Sequence, residues 1–338
     1  MPTALVSVYD KTGVVDLARE LHELGWSLLS SGGTAAVIAD AGVPVTDVAE
    51  ITGVPAILGH RVVTLHPKVH GGILADRSDA THQADLAEYG IDPIDVVIVN
   101  LYPFSTAPGV ELIDIGGPAM VRAAAKNFAD VGVVVNPDDY RLVVDEIREH
   151  GALQQSTRTR LARDAFAHTA AYDAAIVRWF DEVHDEGGDE LPPTLHLALE
   201  RVEKLRYGEN PHQKAFWYGL SNIGWNSAEQ LQGKELSYNN LLDLESALST
   251  VLEFGYEEKD GLKTKTFASV ILKHNNPCGA SISNSASQAF INALECDSVS
   301  AFGGIVAFNS NVDAATAINL KDIFLECVIA PSFDAEAL

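Results

Sequence analysis

The sequence predicts an α/β protein, with an N-terminal doubly wound parallel sheet followed by a second α/β region. Short apolar strands alternate with helical segments over residues 1–135, which is typical of a parallel sheet covered by helices. Several strands run directly into polar, glycine-rich loops, where proteins of this class bind ligands. At 338 residues the chain is also long enough for two domains.

The regular alternation lies in the first part of the chain. Apolar runs predict strands at residues 4–8, 26–29, 94–104 and 131–135. Apolar residues at helical spacing predict helices at residues 14–24, 35–41, 118–127, 137–149 and 153–180. The run at 94–104 is apolar almost throughout, which is typical of a strand buried on both faces.

An acidic stretch at residues 182–193 ends in Pro-Pro and predicts a boundary between two domains. We therefore predict a first domain at 1–182, a linker at 183–198 and a second region at 199–338. In that region the patterns predict helices at 241–254 and 286–295, strands at 268–272 and 324–331, and a charged loop at 256–265.

Composition argues against several classes of partner. The formal net charge of −24 disfavours nucleic-acid binding, which needs a basic surface. No apolar run is long enough to span a bilayer, and the N-terminus lacks a signal-peptide pattern. The three cysteines have no metal-type spacing, which favours a reduced, cytoplasmic setting.

Two strand-to-helix loops are candidates for a phosphate site. One reads Asp10-Lys-Thr-Gly13 and the other reads Ser30-Ser-Gly-Gly-Thr34. The second places small residues at a helix N-terminus, where free N–H groups and the helix dipole favour an anion. An ordinary helix cap is the alternative for this loop alone. Together with Lys11 and Thr12, it predicts a phosphate cradle.

A third basic loop, residues 59–72, carries Arg61, Lys68 and several histidines. His66 and His70 have the i, i+4 spacing of a helical metal pair. A proline follows the first, glycines follow the second and no Glu lies between them, which argues against a zinc site. We predict a loop that covers an anionic ligand, with a purely structural loop as the alternative.

Polar residues also follow the strand at 94–104 and precede the next helix. Asn100 and Tyr102 lie at the end of the strand, and Asp114 lies just before Gly116-Gly117 at the helix start. A glycine pair at a helix N-terminus again suits an anion. For Tyr102 and Asp114, a strand end and a helix cap are the structural alternatives.

In the second region, the strand at 268–272 ends in Lys273-His-Asn-Asn-Pro-Cys-Gly279, at a place where α/β proteins put their chemistry. Lysine supplies a fixed positive charge, and histidine moves protons near neutral pH. Arg206 lies in a turn and suits a phosphate or carboxylate ligand, and Gly303-Gly304 permits close backbone approach. A strand cap with a polar loop is the alternative for Lys273-His274.

Nine motifs occur in order along nearly the whole chain: Asp10-Lys-Thr-Gly13, Ser31-Gly-Gly-Thr34, Thr64-Leu-His-Pro67, Asn100-Leu-Tyr-Pro-Phe104, Asp114-Ile-Gly-Gly117, Arg122-Ala-Ala-Ala-Lys-Asn127, Leu205-Arg-Tyr-Gly208, Asn210-Pro-His-Gln213 and Lys273-His-Asn-Asn-Pro-Cys-Gly279. Together they resemble the bifunctional purine biosynthesis family, which joins IMP cyclohydrolase to AICAR formyltransferase. The resemblance implies a methylglyoxal-synthase-like fold for the first domain. For the second region it implies part of a cytidine-deaminase-like architecture without zinc.

The resemblance further implies the last two steps of IMP synthesis. The amino group of AICAR takes the formyl group of 10-formyltetrahydrofolate. The carboxamide nitrogen of formyl-AICAR then attacks the formyl carbon, water leaves and the purine ring closes. AICAR, formyl-AICAR and IMP are the implied ligands, and 10-formyltetrahydrofolate is the implied cosubstrate. A homodimer is implied, with no metal and no nucleic-acid or membrane partner.

The resemblance also assigns residues to both reactions. It implies Lys126, Tyr102 and Asp114 as catalytic residues in ring closure. In formyl transfer it implies His274 as the base and Lys273 as the group that stabilises developing charge. The residues implied to bind nucleotide in the first domain are Tyr9, Asp10, Lys11, Ser31, Gly32, Gly33, Thr34, Arg61, Thr64, Asn100 and Ile115, with Ser31 to Thr34 on the phosphate. Those implied to hold AICAR in the second region are Arg206, Tyr207, Gly303 and Glu326.

Two features depart from the family's pattern. Val63 stands where the family has a lysine, and the loss of one charge-assisted contact predicts a cost of about 1.5–3 kcal/mol. Lys68 is the candidate substitute in the same loop. The family's chain also continues beyond Leu338 with folate-site and AICAR-site residues, so this chain alone is predicted to lack formyltransferase activity.

Two other functions stay open on the sequence alone. One is a methylglyoxal-synthase-like lyase or nucleotide-sensing regulatory domain, which residues 1–135 by themselves do not exclude. The other is a catalytically weak fragment that binds nucleotide without turnover, which Val63 favours.

Overall fold

The computed structural model describes residues 1–183, 194–220, 224–255 and 266–338. These residues form two compact units, Met1–Ala198 and Leu199–Leu338. Most of the predicted linker (residues 184–193) and the predicted charged loop (residues 256–265) lie outside the described residues.

The first unit is built on a five-stranded parallel sheet, which confirms the predicted doubly wound architecture. Its strands are β1 (Thr3–Val8), β2 (Ser27–Ser30), β3 (Thr46–Asp47), β4 (Val96–Asn100) and β5 (Gly132–Val134). They lie in the order β3-β2-β1-β4-β5. Alternate residues of the central strand β1 enter opposite cores, Ala4 and Val6 on one face and Leu5 on the other.

Helices cover both faces of this sheet. They are α1 (Val14–Glu23), α2 (Gly32–Asp40), α3 (Val48–Thr52), α4 (Pro67–Leu74), α5 (Ala80–Tyr89), α6 (Gly116–Lys126), α7 (Tyr140–His150) and α8 (Gln155–Val183). In α1 the buried residues are Val14, Leu17, Ala18 and Leu21, spaced i, i+3, i+4 and i+7 along one face of the helix. The burial of this stripe against the sheet explains why the segment is helical.

The strand order determines where a ligand can bind. The chain passes from β1 to β2 on one side of β1 and later returns to β4 on its other side. A crevice therefore opens at the carboxyl ends of β1 and β4. The register pairs Val8 with Asn100 at these ends, so the polar loops that follow the two strands converge.

The predicted strand at 94–104 is too long. β4 ends at Asn100, although apolar residues continue beyond it. Phe104 is fully buried, but it lies outside the sheet and packs edge-on against Tyr172, with ring centroids 6.0 Å apart. An apolar run therefore marks burial here without marking strand.

The predicted loop at 59–72 is half helical. Its second half belongs to α4, which begins at Pro67. The His66 side chain caps this helix, since its Nδ1 accepts the N–H of Lys68 at 3.2 Å. His66 therefore has a structural partner, and His70 lies within the helix that it caps.

The second unit holds a four-stranded mixed sheet and a separate two-stranded ribbon. Its strands are β6 (Glu200–Leu205), β7 (Ala215–Gly219), β8 (Phe267–Lys273), β9 (Asn276–Ser283), β10 (Gly304–Phe308) and β11 (Leu325–Ile329). Its helices are α9 (Tyr238–Leu252), α10 (Ala286–Cys296) and α11 (Ala314–Leu320). The larger sheet has the order β11-β10-β8-β9 and is parallel between β10 and β11. Leu244 of α9 and Phe290 of α10 lie in the two cores on its faces, so this unit is also α/β.

The segment after β8 differs from the predicted polar loop. β8 turns at His274-Asn275 directly into β9, with Lys273 paired to Asn276. His274 and Asn275 have φ angles of 52° and 59°, which is the left-handed pair that a two-residue hairpin turn requires. Hairpin turns of this kind usually contain glycine, so the His-Asn pair gave no hairpin signal in the sequence.

Candidate active site

A cavity of about 660 Å³ opens at the carboxyl ends of β1, β2 and β4 in the first unit. Most of the residues predicted to bind a nucleotide line it. They are Tyr9, Lys11, Ser31, Gly32, Gly33, Thr34, Arg61, Thr64, Asn100 and Ile115, together with Tyr102 and Asp114 from the predicted catalytic set. The parallel sheet therefore brings together residues that lie more than 100 positions apart in the sequence.

One end of the cavity is the N-terminus of α2. Gly32 begins this helix with a φ angle of 53°, a left-handed conformation that favours glycine. Ser31 lies at the cap position in extended conformation, and its side chain makes no capping hydrogen bond. The first N–H groups of a helix have no intrahelical acceptor, so this end of the cavity suits an anion.

The Thr34 hydroxyl is not free for the predicted phosphate contact. It is buried, its hydroxyl donates to the Val8 carbonyl (2.9 Å), and it accepts the Val8 N–H (3.2 Å). The end of β1 therefore occupies both hydrogen-bonding functions of this side chain. Thr34 fixes α2 to β1 and positions the loop.

Asp10 does not line the cavity, although it was predicted to bind nucleotide. Its carboxylate accepts the backbone N–H of Thr12 (2.9 Å) and the Thr12 hydroxyl (2.7 Å). These hydrogen bonds lower the pKa of Asp10 below its ordinary value. The Asn100 amide holds the same loop from β4, accepting the N–H groups of Tyr9 (2.6 Å) and Asp10 (3.0 Å).

Lys11 lines the cavity, but its ammonium group is turned toward the backbone. Nζ donates to the carbonyl of Val8 and to that of Tyr9, the latter at 3.2 Å. Partial burial lowers the pKa of Lys11, and the nearby Asp10 carboxylate opposes that shift. The lysine therefore supports the β1 loop in this conformation.

Tyr102 and Asp114 form the titratable pair of the cavity. The rings of Tyr102 and Tyr9 meet edge to face, with centroids 5.4 Å apart. Burial raises the pKa of Tyr102, and the charges of Asp114 and Tyr9 raise it further. Burial also raises the pKa of Asp114, opposed by hydrogen bonds from the N–H groups of Gly117 and Gly116. A buried carboxyl beside a protonated phenol is suited to proton transfer.

The backbone fixes Asp114 on both sides. Its carboxylate accepts the Gly117 N–H at 2.9 Å, and its own N–H donates to the Tyr172 hydroxyl at 2.9 Å. A Cβ atom added at Gly117 would lie 2.3 Å from Asp114 Oδ2 and 2.8 Å from Leu101. Glycine is therefore required at 117 because the carboxylate packs directly against the helix start.

The mouth of the cavity carries groups that the sequence motifs did not single out. His60 and Glu111 both line it, and the Glu111 carboxylate forms an ion pair with Arg61. Val63, half-buried, also lines the cavity, at the position where the resemblance implies a lysine. Lys68, the proposed substitute, lies in the first turn of α4 and is not among the cavity-lining residues.

Lys126 does not reach this cavity. It is exposed at the last position of α6, ten residues after Gly116 at the other end of the helix. At 1.5 Å of rise per residue, these two positions are about 15 Å apart. Lys126 instead lines a shallow depression of about 280 Å³ with Phe128, Arg163 and Phe166. Within one chain, Lys126 therefore lies apart from Tyr102 and Asp114, and its role in ring closure stays a prediction.

In the second unit, Arg206, Tyr207 and Glu326 lie together. The Arg206 guanidinium is 5.0 Å from the centre of the Tyr207 ring and 3.9 Å from the Glu326 carboxylate. Its Nη2 also donates to Asn240 at the start of α9, at 3.4 Å. These contacts are long, so the arginine is only loosely held.

Lys273 lies next to Gly303, and the hairpin turn that follows it contacts helix α9. Lys273 Nζ donates to the Phe302 carbonyl at 2.8 Å, next to Gly303. The Asn275 N–H donates to Asp243 of α9 at 2.8 Å. Since Asp243 is one helical turn after Asn240, the hairpin turn and Arg206 contact the same side of α9. The exposed His274 therefore lies on an open face near the predicted AICAR-binding residues.

Within the described residues, no cluster of three or more His, Cys, Asp or Glu side chains could hold a metal ion. The same part of the chain contains no helix long and apolar enough to cross a membrane.

Two known families match this chain, each over a different part of it. Residues 13–126 match the family described as MGS-like domain, and residues 124–338 match the family described as AICARFT/IMPCHase bienzyme. The chain is also similar to the crystal structure of ForH, with 38% sequence identity and a TM-score of 0.51. That match covers 54% of this chain and 99% of the other.

Curated relatives extend the match over the whole chain. It is 62% identical to the bifunctional purine biosynthesis protein PurH of Prochlorococcus marinus subsp. pastoris, covering 100% of this chain and 66% of that protein. It is 54% identical to PurH of a Synechococcus species, over 99% of this chain and 66% of that protein. The chain therefore spans 66% of the length of these curated relatives.

Proposed function

The chain belongs to the AICARFT/IMPCHase bienzyme family, and from this premise we propose that its first unit closes the purine ring of formyl-AICAR to give IMP. The observation that carries the proposal is a single cavity with the α2 N-terminus at one end and the Tyr102–Asp114 pair in its wall. Ring closure of a nucleoside monophosphate needs both features: an anion site that binds the phosphate, and proton-transfer groups beside the base.

Asp114 carries the proton transfers of ring closure, and Tyr102 stabilises the charge that develops. The carboxamide nitrogen attacks the formyl carbon and loses a proton to the Asp114 carboxylate. Tyr102, whose pKa is raised, stays protonated and donates a hydrogen bond to the formyl oxygen as negative charge develops on it. The protonated Asp114 then returns its proton to this oxygen, which becomes a hydroxyl. Asp114 next takes the proton of the formamido nitrogen and passes it to the hydroxyl, which leaves as water as the C=N bond of the ring forms. Binding in the cavity supplies the orientation that an intramolecular attack requires.

The experiment that tests this function measures two activities of the purified chain and its binding of IMP. With formyl-AICAR we expect IMP, and with dihydroxyacetone phosphate we expect no methylglyoxal. Methylglyoxal formation would favour the lyase function to which the MGS-like match at residues 13–126 also points. Binding of IMP without turnover of formyl-AICAR would favour the catalytically weak fragment.

For the second unit we propose AICAR binding at Arg206, Tyr207, Gly303 and Glu326, with Lys273 and His274 acting in formyl transfer from 10-formyltetrahydrofolate. The position of Arg206 and the hairpin turn along one side of α9 supports this assignment. The AICAR amine is a weak nucleophile, so a base at His274 would take its proton as it attacks the formyl carbon. We also propose a cytoplasmic location for the enzyme. Its three cysteines are free thiols, which fits a reducing compartment.

These 338 residues alone are expected to show no formyl transfer. The chain spans 66% of the length of its relatives, and His274 is exposed on an open face that does not exclude water. The measurement is formyl-AICAR formation from AICAR and 10-formyltetrahydrofolate, with ring closure by the same preparation as the control for folding. Formyl transfer that is lost in the His274→Ala variant would contradict this expectation.

Lys126 can serve ring closure only from a second copy of the chain, because it lies at the far end of α6 from Asp114. In a homodimer that shares residues in this way, mixing Lys126→Ala and Asp114→Asn subunits creates one intact site in each mixed dimer. Random exchange then restores about one quarter of wild-type activity from two inactive variants. No recovery would mean that Lys126 and Asp114 of one site come from the same subunit, and full activity of Lys126→Ala would exclude a catalytic role.

A further inference from the structure

The mouth of the first unit's cavity is bridged by an ion pair. Arg61 and Glu111 both line the cavity, and Nη2 of the arginine contacts Oε1 of the glutamate. The two residues are 50 positions apart in the sequence and belong to different segments. Their side chains are 65% and 75% exposed, so water has free access to both partners.

Glu111 stands on a fixed segment. It lies in a 3₁₀ turn, Val110–Leu112, which ends two residues before Asp114. The Tyr172 hydroxyl donates to the Leu112 carbonyl at 2.6 Å and accepts the Asp114 N–H at 2.9 Å. The long helix α8 therefore anchors the end of this turn, and the carboxylate projects from a base that is held in place.

Arg61 stands on an exposed hairpin. Ile57 and Val62 pair through two backbone hydrogen bonds of 3.1 and 3.4 Å. Leu58, Gly59 and His60 between them all have left-handed backbone conformations, with φ angles of 54°, 64° and 71°. This conformation is unfavourable for leucine and histidine, so the hairpin needs contacts elsewhere to keep its shape. The ion pair to Glu111 supplies one.

The two cations of the cavity differ in how easily a ligand can recruit them. Lys11 donates to two backbone carbonyls, which cannot move away. Arg61 is paired to a single exposed carboxylate, which can return to water. A phosphate monoester carries more charge than a carboxylate and offers a guanidinium two parallel hydrogen bonds. An anionic ligand in the cavity can therefore displace Glu111 from Arg61.

Building on the proposed function, we propose that Glu111 is a positioning residue that holds Arg61 and its hairpin across the cavity mouth until a nucleoside monophosphate displaces it. Glu111 thus stabilises the ligand-free conformation and opposes nucleotide binding. It also repels any dianion that approaches without engaging Arg61, which favours ligands that reach the arginine.

The expected effect is modest, because an exposed ion pair is screened by solvent. Replacing Glu111 by glutamine should tighten IMP binding up to about fivefold at low ionic strength. The gain should vanish at about 0.5 M salt, where the Debye length is only a few ångströms. In the absence of ligand, amide hydrogens of the hairpin, Val62 in particular, should exchange faster in Glu111→Gln than in the wild type.

The test combines calorimetric IMP titrations at about 20 mM and 0.5 M salt with hydrogen exchange of the ligand-free chain. Glu20→Gln is the matched control. Glu20 forms an ion pair with Arg148, with nitrogen and oxygen 2.6 Å apart, and neither residue lines the cavity. Arg61→Ala should weaken binding, and adding Glu111→Gln to it should tighten binding less than the same change does in the wild type, because only the repulsion by Glu111 is left to remove. This pattern, with the control unchanged, would support the proposal.

Unchanged hairpin exchange in Glu111→Gln, or IMP binding no tighter than in the wild type, would overturn it. If the wild type itself binds no IMP, the proposed function of the cavity fails. Hydrogen exchange then decides separately whether Glu111 holds the hairpin.

Discussion

Replacing Asp114 by asparagine is expected to lower the rate of ring closure by about 10²- to 10⁴-fold, the usual contribution of a general acid–base group. The change keeps the size of the side chain and an oxygen that can accept the Gly117 N–H, which Asp114 accepts at 2.9 Å. It removes the carboxylate that takes and returns the proton. The measurement is the initial rate of IMP formation from formyl-AICAR.

The same variant is expected to be at least as stable as the wild type at neutral pH. Burial raises the folded-state pKa of Asp114 above the value of about 3.9 in the unfolded chain. The wild type therefore loses stability as pH rises from the unfolded pKa to the folded pKa, and this loss persists at higher pH. Asparagine does not titrate, so the stability difference should grow above about pH 4 and then level off.

Urea unfolding of both proteins between about pH 3 and 8 measures this difference. A strongly destabilised Asp114→Asn protein would show that the carboxylate is structural, in which case the loss of activity would say nothing about proton transfer. Unchanged ring closure in a folded variant would exclude Asp114 from the chemistry.

Replacing Val63 by lysine is expected to raise kcat/KM for ring closure about ten- to a hundredfold. One hydrogen bond from a charged group to the ligand contributes about 1.5–3 kcal/mol, and 1.4 kcal/mol is a factor of ten. Val63 lines the cavity beside Thr64, so a lysine there would extend toward the bound nucleotide. Lys68 does not supply this charge, because it is not among the cavity-lining residues.

Val62→Lys is the matched control for this variant. Val62 is the neighbouring residue and is not among the cavity-lining residues, so this substitution adds the same charge to the same segment but outside the cavity. An equal rate increase in both variants would mean that the lysine attracts anions from a distance. No increase in either would mean that ring closure by this chain does not depend on the missing charge.

The architecture of the first unit was predictable because its signals are local. Apolar runs of four to six residues, each followed by a helix with one apolar face, specify strands and helices almost independently of the rest of the chain. The convergence of Lys11, Ser31 and Asn100 then follows from the parallel sheet, whose carboxyl ends meet at one edge.

The site residues whose contacts differ from the sequence prediction differ in side-chain direction and in tertiary contact. Thr34 lies in the predicted loop, but its hydroxyl faces β1, and Asp10 serves the Thr12 turn. No sequence pattern states which way such side chains point. The separation of Lys126 from Gly116, by contrast, follows from helix rise alone, because ten helical residues span about 15 Å.

No sequence motif indicated that Glu111 lies at the cavity mouth. Its position depends on the hydrogen bond from Tyr172 to the neighbouring Leu112, and these two residues are 60 positions apart in the sequence. The turn at His274-Asn275 was missed for a related reason. Its left-handed conformation is fixed by the pairing of β8 with β9, and a His-Asn pair without glycine does not by itself predict a hairpin turn.

The most direct test of the central claim is ring closure by the purified 338-residue chain, with formyl-AICAR as substrate and IMP absorbance as readout. Wild-type turnover that falls at least about a hundredfold in a stably folded Asp114→Asn variant is the expected result. Absence of IMP formation by both the wild type and Val63→Lys would contradict the account and leave the cavity as a nucleotide-binding site without cyclohydrolase activity.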